Sequence, residues 1–266
     1  MNRLFSALAA TAAAAVVFAP LAAASPIASD AFNYAPGSLG TASGGSGWTT
    51  SWAGGSTNVT APGLVGSGIG SASTNKLTTN NDNTGAFRSV PSQGTDGTTV
   101  WLSYLFSGTS TTVAAGYAGV SLFNGSTETL FTGKRTNQTV LGMQRSGQSS
   151  AAGDSTAPAD TSTHLLVYKI DFGAGTTAGN EKVTMYVDPA PGAAPDVSPS
   201  VTLADVNNFS FDRVRIQSGN GSNFNADEVS LGTTYADVVP EPATIGLLGL
   251  GAMATLASRR RRTVRA

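Results

Sequence analysis

The sequence predicts an all-β fold in which many short antiparallel strands form a sandwich or a barrel. Charged residues are 12% of the 266, about half the share usual in a soluble domain, which disfavours a helical bundle with charged outer faces. Glycine contributes 32 residues and favours tight turns. Short apolar or alternating runs recur between clusters of Gly, Asn, Ser and Pro, a spacing typical of strands joined by turns.

Seven runs in the middle of the chain are predicted to be strands. They are residues 98–106, 117–123, 128–133, 164–172, 181–188, 211–217 and 228–232. Asn124 and Gly125, between the second and third runs, predict a hairpin turn with positive φ at both positions. No segment of ten or more residues in this part of the chain shows a helical period.

The run at 211–217 shows the alternation of a strand with two unlike faces, because successive side chains of a strand point to opposite sides. One face carries Phe211, Arg213, Arg215 and Gln217. The other carries Asp212, Val214 and Ile216.

The N-terminus is predicted to be a secretory signal peptide over residues 1–24. Arg3 supplies the basic start, and an Ala-rich apolar run follows as far as Ala24. Cleavage by signal peptidase, an expected partner, is predicted between Ala24 and Ser25, with a second site after Ala28 left open. The mature chain is therefore expected to be exported across the inner membrane.

The C-terminus is predicted to be a short transmembrane anchor with a basic cytoplasmic end. The apolar run from Ala243 to Ala257 spans 15 residues, fewer than the roughly 20 of a full transmembrane helix. An arginine cluster follows it and indicates a cytoplasmic location for this end; its members are Arg259, Arg260, Arg261 and Arg262. The run is apolar all round, which excludes an amphipathic helix of the domain.

Pro240, Glu241 and Pro242, together with this run and the arginine cluster, resemble the PEP-CTERM sorting signal over about residues 239–262. The resemblance implies transient membrane anchoring and cleavage near the Pro-Glu-Pro triplet by an exosortase-type membrane protease. It further implies a location at the cell surface or outside the cell, and an association with exopolysaccharide. The LPxTG motif of sortase substrates does not occur in the sequence.

The middle of the chain, residues 25–236, is predicted to form one domain, and residues 237–266 a linker plus the sorting signal. A second resemblance, to LamG-like, concanavalin A-like domains, rests on segments in the right order: 30–34, 44–52, 119–134, 164–189 and 211–235. It implies a two-sheet antiparallel jelly-roll sandwich whose first and last strands are adjacent. That fold occurs in sugar binders, adhesins and enzymes, so it does not decide the function.

Composition excludes several kinds of site. With no cysteine and one histidine, the chain has no disulfides, thiolate metal sites or multi-histidine sites. Residues 25–238 contain nine basic and fifteen acidic residues, and this net charge near −6 argues against nucleic-acid binding. The glutamates do not form the ExDxxE pattern of retaining jelly-roll glycosidases, which need paired carboxylates. We therefore expect no catalytic residues and a protein that is not an enzyme.

Calcium is the candidate cofactor, because the resembled fold often holds it and the ion prefers oxygen ligands. The candidate ligands are Asp82, in the run 80–83, and the neighbours Asp227 and Glu228. Asn and Asp also favour turns because they tolerate left-handed backbone, so for 80–83 a turn is the alternative. Asp227 and Glu228 are expected on opposite faces of a strand.

Trp48 and Trp52 are the candidate glycan contacts. Both lie among Gly, Ser and Thr residues, where an exposed ring could stack on the apolar face of a sugar. The alternative is that they pack over the open end of the sandwich. Trp101 lies within an apolar run and is expected in the core.

These observations leave three functions. The first is a non-enzymatic, surface-sorted protein of the exopolysaccharide-associated extracellular matrix, with glycan binding as one of its activities. The second is a carbohydrate-active enzyme on the same fold, which a carboxylate pair facing a groove would indicate. The third is a structural spacer without a ligand.

Overall fold

The computed structural model describes residues 25–66, 73–81, 83, 85–109, 115–190 and 199–239, which form fifteen strands and one short helix. The strands are β1 Ala28–Asp30, β2 Gly37–Ser38, β3 Asn58–Thr60, β4 Lys76–Thr78, β5 Ala86–Gln93, β6 Thr99–Gly108, β7 Tyr117–Asn124, β8 Thr127–Lys134, β9 Val140–Arg145, β10 Ala152–Pro158, β11 His164–Asp171, β12 Glu181–Val187, β13 Val201–Val206, β14 Phe211–Gly219 and β15 Phe224–Gly232. The helix is α1 Tyr235–Val238.

Two antiparallel sheets stack face to face, which confirms the all-β sandwich. The nine-stranded sheet has the order β13-β12-β11-β6-β15-β4-β3-β2, with β1 paired to β15 as well. The six-stranded sheet has the order β10-β9-β8-β7-β14-β5. Ala28 of β1 lies opposite Leu231 of β15, so the first and last strands are adjacent, as the LamG-like resemblance implies.

The main core lies between the two sheets, and both sheets supply its side chains. Val214 and Ile216 of β14 are fully buried in it, whereas Arg213, Arg215 and Gln217 line the opposite, outer face. The alternation predicted for this strand is therefore confirmed at these positions. Phe211 is the exception: it also joins the core, because the pairing register of β14 with β5 shifts between Phe211 and Arg213.

A second apolar cluster lies on the outer face of the nine-stranded sheet, where Trp101, Leu105, Leu165 and Val167 are buried. The C-terminal segment, which we define as Tyr235–Val239, covers this face. Trp101 is therefore buried on the outer face of its sheet and not between the sheets.

The chain stays packed on the sheet beyond the domain boundary predicted at residue 236. Val238 is 2% exposed and Val239 is fully buried, so these residues belong to the folded domain and not to a linker. The sequence suggested a linker because Pro240 and Pro242 follow so closely. The folded domain extends at least to Val239.

Both predicted targeting segments lie outside the described residues: the predicted signal peptide 1–24, with Ala24, and the predicted sorting signal from Pro240 onward, including Arg259–Arg262. Within the described part of the chain, no helix is both long and apolar enough to cross a membrane. The predicted hairpin after β7 is present, but its turn has positive φ at Gly125 (57°) and not at Asn124.

Candidate functional site

A groove of about 540 Å³ runs over the outer face of the six-stranded sheet. Four strands and their loops supply its side chains: Tyr117 and Phe123 from β7, Glu128 and Phe131 from β8, Gln144 from β9, and Arg215 and Gln217 from β14. A second cavity of about 270 Å³ shares Phe123, Ser126 and Arg215 with it and adds Phe87 and Arg213. We call these two adjoining cavities the arginine groove.

Arg213 and Arg215 are the cationic centre of the arginine groove. The guanidinium carbon of Arg213 lies 4.8 Å from the centroid of the Phe87 ring, and that of Arg215 lies 5.5 Å from the Phe123 ring. An aromatic face attracts a cation and holds the planar guanidinium flat against it. Arg215 Nη2 also donates to the carbonyl oxygen of Asn83 at 3.2 Å.

Neither arginine is neutralised by a carboxylate of the described residues, whose ion pairs lie elsewhere. The Nε atoms of both side chains are buried without a hydrogen-bond partner. A buried donor without an acceptor costs about 1–3 kcal/mol. Both guanidinium groups also line the open cavities, where they offer positive charge to an anion.

Glu128, the one carboxylate among the described residues that line the groove, is already engaged. Its Oε1 accepts from Ser121 Oγ at 2.6 Å and from Gln217 Nε2 at 2.7 Å. Its Oε2 accepts from Ser146 Oγ at 2.7 Å. Three donors hold the carboxylate against the wall, so it positions Gln217 rather than standing free for a ligand.

The other residues that line the groove include an arginine already paired with an aspartate and two aromatic rings. Arg135 donates to both oxygens of Asp154, at 2.8 and 2.5 Å, and to Gln144 Oε1 at 3.3 Å. The rings of Tyr117 and Phe131 meet edge to face, with centroids 6.2 Å apart. The groove therefore offers aromatic faces, amides and two unneutralised guanidinium groups within one surface.

The structure corrects the prediction that Trp52 is a glycan contact. Its side chain is fully buried, and its Nε1 donates to Asp30 Oδ2 at 2.8 Å. Trp48 is half-buried, its Nε1 donates to the Ser29 carbonyl at 2.9 Å, and its ring lies 5.6 Å from that of Trp52. The Arg88 guanidinium covers both rings, at 5.1 and 5.8 Å. These contacts fit the alternative prediction, in which Trp48 and Trp52 pack against the domain.

Asp30 explains why Trp52 is drawn inward. It forms a buried ion pair with Arg88 at 2.8 Å, with both side chains 3% exposed or less. It also accepts from Tyr34 Oη at 2.5 Å and from the backbone N–H of Phe32 at 2.9 Å. A buried charge needs such partners, so the tryptophan indole is recruited as a donor.

Of the three candidate calcium ligands, the structure describes Asp227 and Glu228. Asp82 lies outside the described residues. Asp227 is fully buried and accepts from Leu64 N at 2.9 Å, Ser73 Oγ at 2.6 Å and Glu228 N at 2.9 Å. No group of three or more acidic or histidine side chains suited to a metal ion occurs among the described residues.

Asp227 and Glu228 also depart from the expectation that they occupy opposite faces. A bulge interrupts the pairing of β15 with β6 between Asp227 and Ser230, and Glu228 has a φ of +50°. Burial raises the pKa of Asp227 to about 6. Burial, followed by the charges of Asp227 and Asp30, raises the pKa of Glu228 to about 7. The sequence gives no sign of the bulge, because neither Asp227 nor Glu228 is a glycine, the residue that adopts a positive φ most readily.

The arginine groove was not predicted as a site, although its signal is visible. The alternation Arg213-x-Arg215-x-Gln217 places three polar side chains on one face of a strand whose other face is apolar. The alternation does not show which residues of other strands lie beside these side chains. Pairing with β7 places Phe123 opposite Arg213 and Ser121 opposite Arg215.

Several solved structures are similar to the chain. A double mutant of alginate lyase Aly36B in complex with alginate tetrasaccharide is 13% identical, covers 80% of this chain and 98% of that one, and has a TM-score of 0.46. The T. cruzi calreticulin globular domain is 13% identical, with 62% and 76% covered and a TM-score of 0.41.

The receptor-binding domain of botulinum neurotoxin mosaic serotype C/D is 6% identical, with 81% of this chain covered and a TM-score of 0.48. The chain spans 49% of that structure, about half its length. No curated protein matches the sequence.

Residues 238–262 match the family model of the PEP-CTERM protein-sorting motif. The match includes Pro240, Glu241, Pro242 and the arginines 259–262, and it confirms the predicted sorting signal. The chain therefore carries a PEP-CTERM motif and is a secreted protein sorted by an exosortase.

Proposed function

We propose that the exported domain is a non-enzymatic module that binds an acidic polysaccharide in the arginine groove. The observation that carries this proposal is the pair Arg213 and Arg215, stacked on Phe87 and Phe123 without a carboxylate partner among the described residues. An uronate or sulfate group supplies the oxygens that guanidinium groups bind in a planar, charge-assisted geometry.

The rest of the groove suits a sugar chain. Tyr117 and Phe131 offer apolar ring surface of the kind that packs on the C–H face of a pyranose, and Gln144 and Gln217 offer amide groups for hydroxyls. The groove is open along the sheet, and it joins the second cavity through Phe123. A polymer can therefore lie across both cavities.

Two features favour binding without turnover. Glu128 is held by three donors and is the one carboxylate among the described residues that line the groove, whereas glycoside hydrolysis requires two facing carboxylates. The chain's single histidine, His164, lies on the nine-stranded sheet, where its Nδ1 pairs with Asp188 Oδ2 at 2.7 Å. The groups that the arginine groove offers to a ligand are therefore guanidinium groups, amides and aromatic rings.

The test is a titration of the exported protein with a polyuronate and, separately, with a neutral glucan. We expect binding of the polyuronate that weakens as NaCl rises, because screening reduces the attraction of exposed charges. The double variant Arg213→Gln/Arg215→Gln should lose tenfold or more in affinity. Lys182→Gln, an exposed change on the other sheet, is the matched control and should bind like the parent.

Four results would contradict the proposal. Equal affinity of the parent and the double variant would remove the arginines from the site. Equal affinity for the neutral glucan would remove the charge selection, and no binding of either polymer would favour the structural spacer. Shortening of the polyuronate, or new unsaturated ends, would show an enzyme and overturn the non-enzymatic part.

A further inference from the structure

Gln217, on β14, is a side chain of the arginine groove whose hydrogen-bond donors are both committed. Its Nε2 donates to Ser121 Oγ and to Glu128 Oε1, each at 2.7 Å. An amide nitrogen carries two hydrogens, so this atom has none left for a ligand. The residue lines the groove and is 6% exposed. The group that Gln217 can still offer to a ligand is therefore its carbonyl oxygen, Oε1.

Glu128 fixes the direction of this amide. An ionised carboxylate accepts hydrogen bonds and donates none, so the Gln217 atom beside Glu128 Oε1 must be the nitrogen. Ser121 Oγ gives its own hydrogen to the same Glu128 oxygen at 2.6 Å, and it can only accept from Gln217. Ser146 Oγ donates to the other oxygen of Glu128 at 2.7 Å. If the amide turned over, its oxygen would face two atoms that have no hydrogen to give.

The Oε1 atom of Gln217 is both unpaired and accessible. No residue in the described part of the chain donates to it. It is also not one of the fully buried atoms without a partner, unlike the Nε atoms of Arg213 and Arg215. An acceptor held in one direction selects a ligand group that carries a hydrogen. In an acidic sugar chain a ring hydroxyl is such a group, and acylation or sulfation removes its hydrogen.

The second amide of the groove offers the opposite kind of group. Gln144 Oε1 accepts from Arg135 Nη1 at 3.3 Å, so the Gln144 side chain presents its Nε2 hydrogens to a ligand. A donor binds the oxygen of a hydroxyl, an ester or a sulfate alike. Gln144 therefore does not distinguish a free hydroxyl from a substituted one, whereas Gln217 does.

We propose that Gln217 is a specificity-determining residue of the arginine groove. Its Oε1 accepts from an unsubstituted hydroxyl of the sugar whose acid group binds Arg215, and Glu128 positions it. This inference rests on the proposed function. Arg215 and Gln217 lie two positions apart on one face of β14, a separation of about 7 Å, so one sugar residue can reach both. The ligand is then a uronate polymer with free ring hydroxyls, and an O-acetylated polymer of equal charge is rejected.

The first measurement compares two forms of one polymer. The polyuronate of the titration above is O-acetylated, which removes hydroxyl hydrogens and keeps every carboxylate, and both forms are titrated with the exported protein. The parent should bind the unsubstituted form roughly tenfold more tightly or better, because an acetylated sugar leaves Oε1 without a partner. Equal affinity for both forms would overturn the inference and leave the proposed function standing. Binding of neither form would overturn both.

Two variants separate this hydrogen bond from steric exclusion of the acetyl groups. Gln217→Met should lower the affinity for the unsubstituted form to that for the acetylated form. It should keep the NaCl dependence of the parent, because no charge is removed. Gln144→Met is the matched control, in which both affinities should fall alike and the preference should persist. A Gln217→Met protein that keeps the preference would show that acetyl groups are excluded elsewhere, and it would overturn the role of Gln217.

Glu128→Gln tests the positioning role of Glu128. An amide at this position both donates and accepts, so it no longer holds the Gln217 amide in one direction. The preference for the unsubstituted form should fall about threefold or more, since part of the protein then presents Nε2 to the ligand. A variant that melts lower than the parent but keeps the full preference would show a structural role only and overturn the positioning.

Discussion

At the scale of single residues, the structure contrasts two buried acids with opposite surroundings. Asp30 has an arginine, an indole, a phenol and a backbone N–H as partners. Glu228 has a buried Oε1 without a partner, next to two other acids. The first arrangement stabilises a charge in the protein interior, and the second penalises it.

The Glu228 surroundings predict a pH-dependent loss of stability. Its pKa is raised to about 7 in the folded state from 4.5, so the folded state holds this proton more tightly than the unfolded one. The loss of folding stability caused by the ionised Glu228 carboxylate is absent below about pH 4.5. It grows between pH 4.5 and 7 and is complete above pH 7. Glu228→Gln should therefore raise the melting temperature at pH 8 and leave it unchanged at pH 4.

Glu181→Gln is the matched control for this melting experiment. Glu181 is fully buried, whereas Glu228 is half-buried, and the two oxygens of Glu181 accept from the N–H groups of Gly173 and Phe209, both at 2.9 Å. A Gln amide would direct an NH₂ group at one of these donors, so this variant should melt lower than the parent at pH 8. A Glu228→Gln protein that melts like the parent at pH 8 would show that the carboxylate is not penalised there.

At the scale of elements, the sequence predicted seven of the fifteen described strands. The seven predicted runs correspond to β6, β7, β8, β11, β12, β14 and β15. The strands β1 to β4 have two or three residues each, too few to show a period. β5 and β10 contain Pro91 and Pro158, and both lie at the edges of the six-stranded sheet, where proline is tolerated.

Strand β7 depends on a glycine that leaves no room for a side chain. A Cβ atom on Gly119 would lie 1.9 Å from the carbonyl oxygen of Thr132 on β8, which is backbone and cannot move aside. Gly119→Ala should cost at least about 2–3 kcal/mol of unfolding free energy, measured in urea. Gly147→Ala, with a φ of +79° and open space around it, should cost about 1 kcal/mol. Equal losses would mean that the two strands separate easily at Gly119.

At the scale of the whole molecule, the sandwich could be predicted but the arginine groove could not. Composition and alternation predict a sandwich or a barrel of short strands, and the LamG-like resemblance implies the two-sheet form. The groove joins side chains of β7, β8, β9 and β14, which are brought together only by strand order. The tryptophans misled the prediction because a glycine-rich surrounding looks exposed in sequence, whereas Asp30 and Arg88 draw Trp52 inside.

The extent of the folded domain is testable with two fragments. Residues 25–239 should unfold cooperatively with a β-rich circular dichroism spectrum, and residues 25–234 should lose several kcal/mol. The reason is that burial of a large apolar side chain contributes about 1.5–3 kcal/mol, and Tyr235, Val238 and Val239 are all removed. The control is Ala236→Ser in the longer fragment, since Ala236 is exposed. Equal midpoints for the two fragments would return the boundary to residue 234 or earlier.

The C-terminal segment and the arginine groove occupy the outer faces of opposite sheets. If a molecule were held at its C-terminal end, its arginine groove would therefore face away from the point of attachment. Many copies held in this way would present their grooves in the same direction. A long acidic polymer could then bind several copies at once, and each bound copy would raise the effective concentration for the next.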